Sequence, residues 1–241
     1  MRAVAVVPQA PLLAPGLTGP GGESVHRVRA VVMSAVRELG EALNRPDAGP
    51  VVAVGGGART RRHGPHAWGS LGGFGVDLRA PARRPGEPAT PAALPPSLTI
   101  GCLLLQLSGL PRPLIQQEIA VGAPTRQCLA VGRNLAADAG ADAVWLVLGD
   151  ASARRAPGSP GHYDPRAAGF DASAALALAG ADAAGLAGLD PELAAELLAS
   201  GRAAWQVLAG AVATLPAPAS ARLLLDGAPF GVGYLVACWQ W

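Results

Sequence analysis

The sequence predicts an α/β fold: a single domain over 1–241, with a central, mostly parallel or mixed sheet flanked by helices. Three observations carry this. Short apolar runs with strand character, RAVAVV (2–7), VVAVGGG (51–57) and VWLVL (144–148), each stop at a proline or glycine. Between such runs lie stretches whose apolar residues recur every three or four positions, the spacing of one helix face. Finally, 241 residues that are 50% apolar and 15% charged can bury a large core, so the chain is not disordered overall.

The elements follow in order. RAVAVV is a first buried strand ended by Pro8. A helix covers 23–44, with Val25, Val28, Val32, Val36, Leu39 and Leu43 on one face, and Pro46 stops it. VVAVGGG is the second strand. Residues 58–96 are rich in Arg, Gly and Pro, with one more strand expected at 73–80 and an exposed proline-rich connection over 81–97. Residues 98–107 are apolar throughout, so periodicity leaves helix and strand both open. LIQQEIAV (114–121) reads as a strand and 125–139 as a helix. The strand 143–148 leads to helices expected over 170–184 and 191–215. The second of these opens with Asp190-Pro191, an N-cap followed by proline at the first helical position. Residues 221–241 read as two strands around a DGAPFG turn.

Three strand ends carry the polar chemistry. The first is Pro8-Gln9-Ala10-Pro11. The second is Gly55-Gly56-Gly57, with Arg59, Arg61 and Arg62 after it. The third is Gly149-Asp150-Ala151-Ser152-Ala153-Arg154-Arg155. If these strands are parallel, all three ends open on the edge where α/β proteins bind ligands. The glycine run permits close backbone approach, and with its arginines it suggests an anion cradle; a tight turn with solvated arginines is the alternative. Asp150 either faces the crevice or caps the next turn. Ser152 is the only hydroxyl in its loop, and Arg154 or Arg155 has the fork geometry to grip a carboxylate or phosphate. Glu118 is a charge inside an apolar strand. It lies on the exposed face of an edge strand, or it points into the cleft as a base or ligand, where burial demands a named partner. His63 and His66 are close enough to supply two metal ligands, or are two exposed loop histidines. His162, near Asp164, is a candidate base, and His26 on the first helix is structural.

The order of these pieces resembles the class III extradiol ring-cleavage dioxygenases, in their subunit-B-like branch. The residues that carry the resemblance are PQAPLL after the first strand, VVAVGGG in the second and GDASAR after the third. DPRAAGFD (164–171), SGRAAWQVLAGAV (200–212) and APFGVGYLVA (228–237) follow in the family's order. The resemblance implies an α/β fold and non-haem Fe(II) held by two histidines and a carboxylate, with a further histidine as acid/base and a catechol-like substrate. This chain departs from that pattern. Gln9 stands at the first ligand position, Gly56 or Gly57 at the second, and Ala153 at the histidine of the third motif.

These readings define the function classes. The first expectation is a homologue that binds a small anionic molecule, or acts on it, without a histidine-based iron site. Asp150, His162 and Glu118 are its candidate catalytic groups; Gln9, Gly55, Gly56, Gly57, Arg59, Ser152 and Arg154 are its candidate binding groups. The alternatives are a ring-opening dioxygenase with a non-standard Fe(II) site and a non-catalytic subunit in a homo-oligomer or with a partner chain. A net charge of +2 gives no nucleic-acid footprint. No run reaches the roughly 18 apolar residues that span a bilayer. The N-terminus is too short and proline-broken for a signal peptide, and three scattered cysteines without a CxxC pair fit a reducing cytoplasm.

Overall fold

The computed structural model describes residues 1–17, 22–82, 93–111 and 113–241. In chain order the elements are β1 (Ala3–Val7), α1 (Glu23–Leu43), β2 (Val51–Gly57), β3 (Arg61–His63), β4 (Gly69–Ser70), β5 (Arg79–Ala80), α2 (Pro96–Leu107), β6 (Ile115–Ala120), α3 (Thr125–Ala139), β7 (Val144–Leu148), α4 (Ala167–Ala179), α5 (Ala183–Ala187), α6 (Pro191–Glu196), α7 (Arg202–Val212), β8 (Ser220–Gly227) and β9 (Tyr234–Gln240).

Seven strands form one mixed sheet in the order β3-β6-β2-β7-β1-β9-β8. Its centre, β6-β2-β7-β1, is parallel, and β3, β9 and β8 complete it through antiparallel pairings. The central strands are buried on both faces, which explains their continuous apolar runs. Strand alternation divides the core. Val52, Val54, Trp145 and Val147 face α3, α4 and α7, whereas Ala53, Leu146 and Leu148 face α1 and α2.

Glycines set how closely the helices approach. A Cβ on Gly132 of α3 would lie 2.0 Å from the Val207 carbonyl oxygen, and one on Gly210 of α7 would lie 2.2 Å from that of Leu129. The two helices therefore cross backbone against backbone.

Several sequence expectations need correction. Residues 98–107 belong to α2, which is buried over Ser97–Leu105 and so shows no amphipathic period. The helix expected over 191–215 breaks into α6 and α7. Gly201 lies against Gly149, where a Cβ on Gly149 would be 2.3 Å from the Gly201 Cα, and Leu198 turns the chain at φ 57°. The helix expected over 170–184 is α4, followed by a turn into α5. The strand expected at 73–80 shrinks to Arg79–Ala80. Of the proline-rich connection, 83–92 lies outside the described residues. Ala93 and Leu94 donate their N–H groups to the Trp68 carbonyl, and Leu94 is buried rather than exposed.

Candidate functional site at the carboxyl edge of the sheet

Because β6, β2, β7 and β1 are parallel, their carboxyl ends share one edge. Gly55 pairs with Leu148, Val7 with Leu148, and Val6 with Ala237. Continuing these registers brings Gly57, Asp150, Gln9 and Tyr234 to one level at that edge. Direct contacts close the arrangement. The Gln9 backbone N–H donates to Asp150 Oδ1 at 3.0 Å, in place of the ladder bond that ends after Pro8. The Gln9 side-chain amide donates to Ser200 Oγ at 3.0 Å. A Cβ on Gly56 would lie 3.0 Å from Val121, 3.1 Å from the Ser200 carbonyl oxygen and 3.6 Å from Gln9 Oε1.

The result is a junction of Gln9, Gly56, Asp150 and Ser200. Ser200 holds one side of the Gln9 amide, and the other side is buried without a partner. A buried polar atom left in this way calls for a further hydrogen-bonding group. Beside Ser200 a cleft of about 300 Å³ is lined by Val121, Ala194, Ala195, Leu198 and Ser200. Val121 and Leu198 are exposed apolar residues at its rim. A groove of about 390 Å³ lies at the opposite edge of the sheet, between the C-terminal ends of α3 and α7, and includes Arg133, Trp145 and Thr214. It holds none of the strand-end chemistry.

Asp150 is the electrostatic centre of the junction. Burial pushes its carboxyl up to about 7, and the Gln9 N–H opposes this only in part. Among the described residues no arginine acts on it. The residue is half-buried, and desolvation of the anion is the dominant cause of the rise. Burial followed by the Asp150 charge raises the Tyr234 hydroxyl above its ordinary value. A carboxyl that exchanges its proton near neutral pH has the property required of a general acid or base.

The Glu118 region is a separate cluster. β6 is not an edge strand, because β3 covers it, and the exposed-face reading of Glu118 is therefore corrected: its side chain is 3% exposed. Its carboxylate accepts from Arg61 Nε at 2.8 Å, His63 Nε2 at 2.9 Å and the Arg59 backbone N–H at 3.1 Å. Burial pushes the Glu118 carboxyl up, but these three donors outweigh it and hold the group below its usual range. Burial lowers His63 despite the opposing pull of Glu118, so the neutral ring donates through Nε2. His63 is thus a buried strand residue rather than an exposed loop histidine; His66 is exposed.

The expected anion cradle is also corrected. Gly55, Gly56 and Gly57 continue β2 in pairing with β6, so their backbone belongs to the sheet. Their absent side chains make room instead, for Ser97 over Gly55 and for Glu118 over Gly57. Ser97 Oγ donates to the Gly56 carbonyl at 2.5 Å. Arg61 is engaged by Glu118 and Arg62 by Asp138, while the Arg59 side chain is exposed.

In the third loop Ser152 is fully buried and structural. Its hydroxyl accepts from the Arg154 N–H at 3.0 Å and donates to the Leu197 carbonyl at 3.2 Å. Arg155 pairs with Asp171 at 2.8 Å, and Asp171 also accepts from the Ser152 N–H. His162 is exposed, in a left-handed conformation at φ 62°. The Asp164 carboxylate near it is taken up by Arg166 and held down at about 2 by that guanidinium.

Sequence reading missed Ser200, Tyr234, Asp171 and Arg202. The Ser200-Gly201 pair was a visible interruption of the expected helix. Tyr234 carried no signal, since an aromatic residue in a strand is ordinary. Arg202 is 1% exposed and clamps the loop after β6, donating to the Val121 carbonyl at 2.7 Å and the Ala123 carbonyl at 2.5 Å.

The donor set does not fit the iron site implied by the family resemblance. Gln9 and Asp150 come together, but no imidazole joins them. His63 is tied to Glu118, and His26, His66 and His162 are exposed. Among the described residues no three His, Cys, Asp or Glu side chains are grouped to hold a metal ion.

No family model matches the sequence, and no curated protein matches it. The fold is similar to that of a crystal structure of the uncharacterized protein JW3007 from Escherichia coli K12. The TM-score is 0.57 and the identity 16%, with 99% of each chain covered. At that identity the likeness concerns the α/β fold alone.

Proposed function

We propose that the chain binds a small organic molecule at the carboxyl edge of its sheet, with Asp150 exchanging a proton with a hydroxyl or similar group of the ligand. This is a divergent reading of the dioxygenase-like scaffold, without an imidazole-held iron. The observation that carries it is the junction itself. A half-satisfied Gln9 amide and a carboxyl that titrates near neutrality meet beside an apolar cleft of about 300 Å³. Apolar walls with a few convergent polar groups are what small-molecule sites provide. Among the described residues no cation compensates Asp150, so the group it meets is neutral and hydrogen-bonding rather than anionic. The glycine run contributes space, not an anion cradle.

The test is NMR mapping with octane diol, one hydroxyl at each end, as the probe. Perturbations are expected at the Gln9 side-chain amide, Val121, Leu198 and Ser200, and they weaken in Asp150→Asn and Gln9→Leu. Perturbations confined to the Arg133–Trp145 groove, or none up to the solubility limit, contradict the reading. In parallel, anaerobic Fe(II) loading followed by desalting is expected to leave far less than one iron per chain. Near-stoichiometric iron restores the ring-opening alternative.

A further inference from the structure

The arginines around this edge are nearly all committed. Arg61 is held by Glu118, Arg62 by Asp138, Arg155 by Asp171, and Arg166 by Asp164 and Glu196. Arg202 is spent on backbone carbonyls. Arg154 differs. Among the described residues its guanidinium makes no ion pair or side-chain hydrogen bond, and its Nε is buried without a partner. Asp164 feels its charge, but both oxygens of that carboxylate are bonded to Arg166.

The base of Arg154 is rigid. Its N–H donates to Ser152 Oγ, and its carbonyl accepts from the Asp164 N–H at 3.0 Å. The preceding Ala153 donates to the Leu197 carbonyl at 3.1 Å and accepts from the Gly161 N–H at 3.1 Å. This stitches Arg154 to the turn that presents Leu198 to the cleft. A Cβ on Gly161 would lie 2.7 Å from Leu198 Cδ1 and 2.9 Å from Arg154 Cγ, so the arginine stem and the cleft wall flank the same glycine.

We propose that Arg154 reads the far end of the ligand, which makes the occupant a small amphiphilic monoanion. A hydroxyl meets Gln9 and Asp150, an apolar middle fills the cleft, and a carboxylate pairs with the Arg154 fork. This rests on the site proposed above and names its ligand class. It also separates the ligand's charge from Asp150, which a direct anion site at the glycines does not.

The test compares ω-hydroxyoctanoate with octane diol, which differ only at one end, in NMR titrations at about pH 6 so that Asp150 keeps its proton. The acid is expected to bind roughly tenfold more tightly, the size of one charge-assisted contact. Arg154→Met, which keeps the stem, is expected to abolish that preference, the acid losing more affinity than the diol. Arg154→Lys retains part of it. Equal affinity of the two probes for the native chain, or a preference that survives in Arg154→Met, overturns the assignment while leaving the site intact. Absence of any perturbation at Val121 and Leu198 by either probe overturns the site and the assignment together. A urea midpoint for Arg154→Met within error of the native value confirms that the comparison is made on folded protein.

Discussion

The Gln9 N–H donates to Asp150 Oδ1 across 3.0 Å, joining residues 141 positions apart. The bond caps the end of β1 and pins a carboxyl that burial raises to about 7. Asp150 is therefore a structural cap and a titratable group at once, and the two roles can be separated. A carboxyl raised in the fold contributes stability when protonated, and that contribution is lost as pH rises from the unfolded value near 4 through about 7. The loss is at most about 4 kcal/mol, the free energy of a shift of roughly three units. Asp150→Asn keeps an acceptor for Gln9 and removes the charge. Urea unfolding at pH 5 and pH 8 is expected to show the native chain losing stability between the two while the variant loses less.

Gly132 tests the helix crossing. Alanine there places a Cβ against the Val207 carbonyl, a backbone atom that cannot swing away. Gly132→Ala is expected to destabilise by about 3 kcal/mol or more, as overpacking does when nothing can move. Gly64→Ala, with open space around the same atom, is the control and should be within about 0.5 kcal/mol of the native chain. Denaturant midpoints of the two variants make the comparison.

Arg202 holds the Val121–Ala123 loop and the Gln206 side chain from inside the protein. Arg202→Met fills similar volume but leaves those acceptors unpaired. It is expected to cost about 3 kcal/mol and to broaden or shift the Val121 and Gly122 amide resonances. An unchanged loop spectrum would show that α7 packing alone sets the cleft.

Glu118 makes an opposite prediction in pH. Its carboxyl is held below the unfolded value, so its contribution is present above that value and lost as pH falls through the folded one. Glu118→Gln is expected to cost about 2 kcal/mol at pH 7, because the half-exposed Arg61 regains water when its partner is removed. The cost should shrink on acidification toward pH 3. Urea unfolding across that range measures it.

Much of the fold was legible because its signals are local. The strands at 2–7 and 143–148 are buried on both faces and read as unbroken apolar runs, and α1 shows a clear apolar stripe. The splitting of α6 from α7 was not legible. It is imposed by Gly201 meeting Gly149, a contact between segments far apart in sequence. At the site, the convergence of Gln9, Gly56 and Asp150 followed from parallel strands ending at one edge. The fates of Glu118 and His63 did not, because β3 is only three residues long and its docking on β6 is tertiary. The arginines looked equivalent in the sequence; partners set most of them apart from Arg154, and burial sets it apart from the exposed Arg59.

On the proposed reading, Asp150 sits in a ligand-binding mouth as a carboxyl poised near neutral pH. Carbon-detected NMR titration of the aspartate carboxyls, with Asp150→Asn to assign the signal, measures it directly. A midpoint near 7 that moves when octane diol is added is expected. A midpoint near 4 that the probe leaves untouched contradicts it.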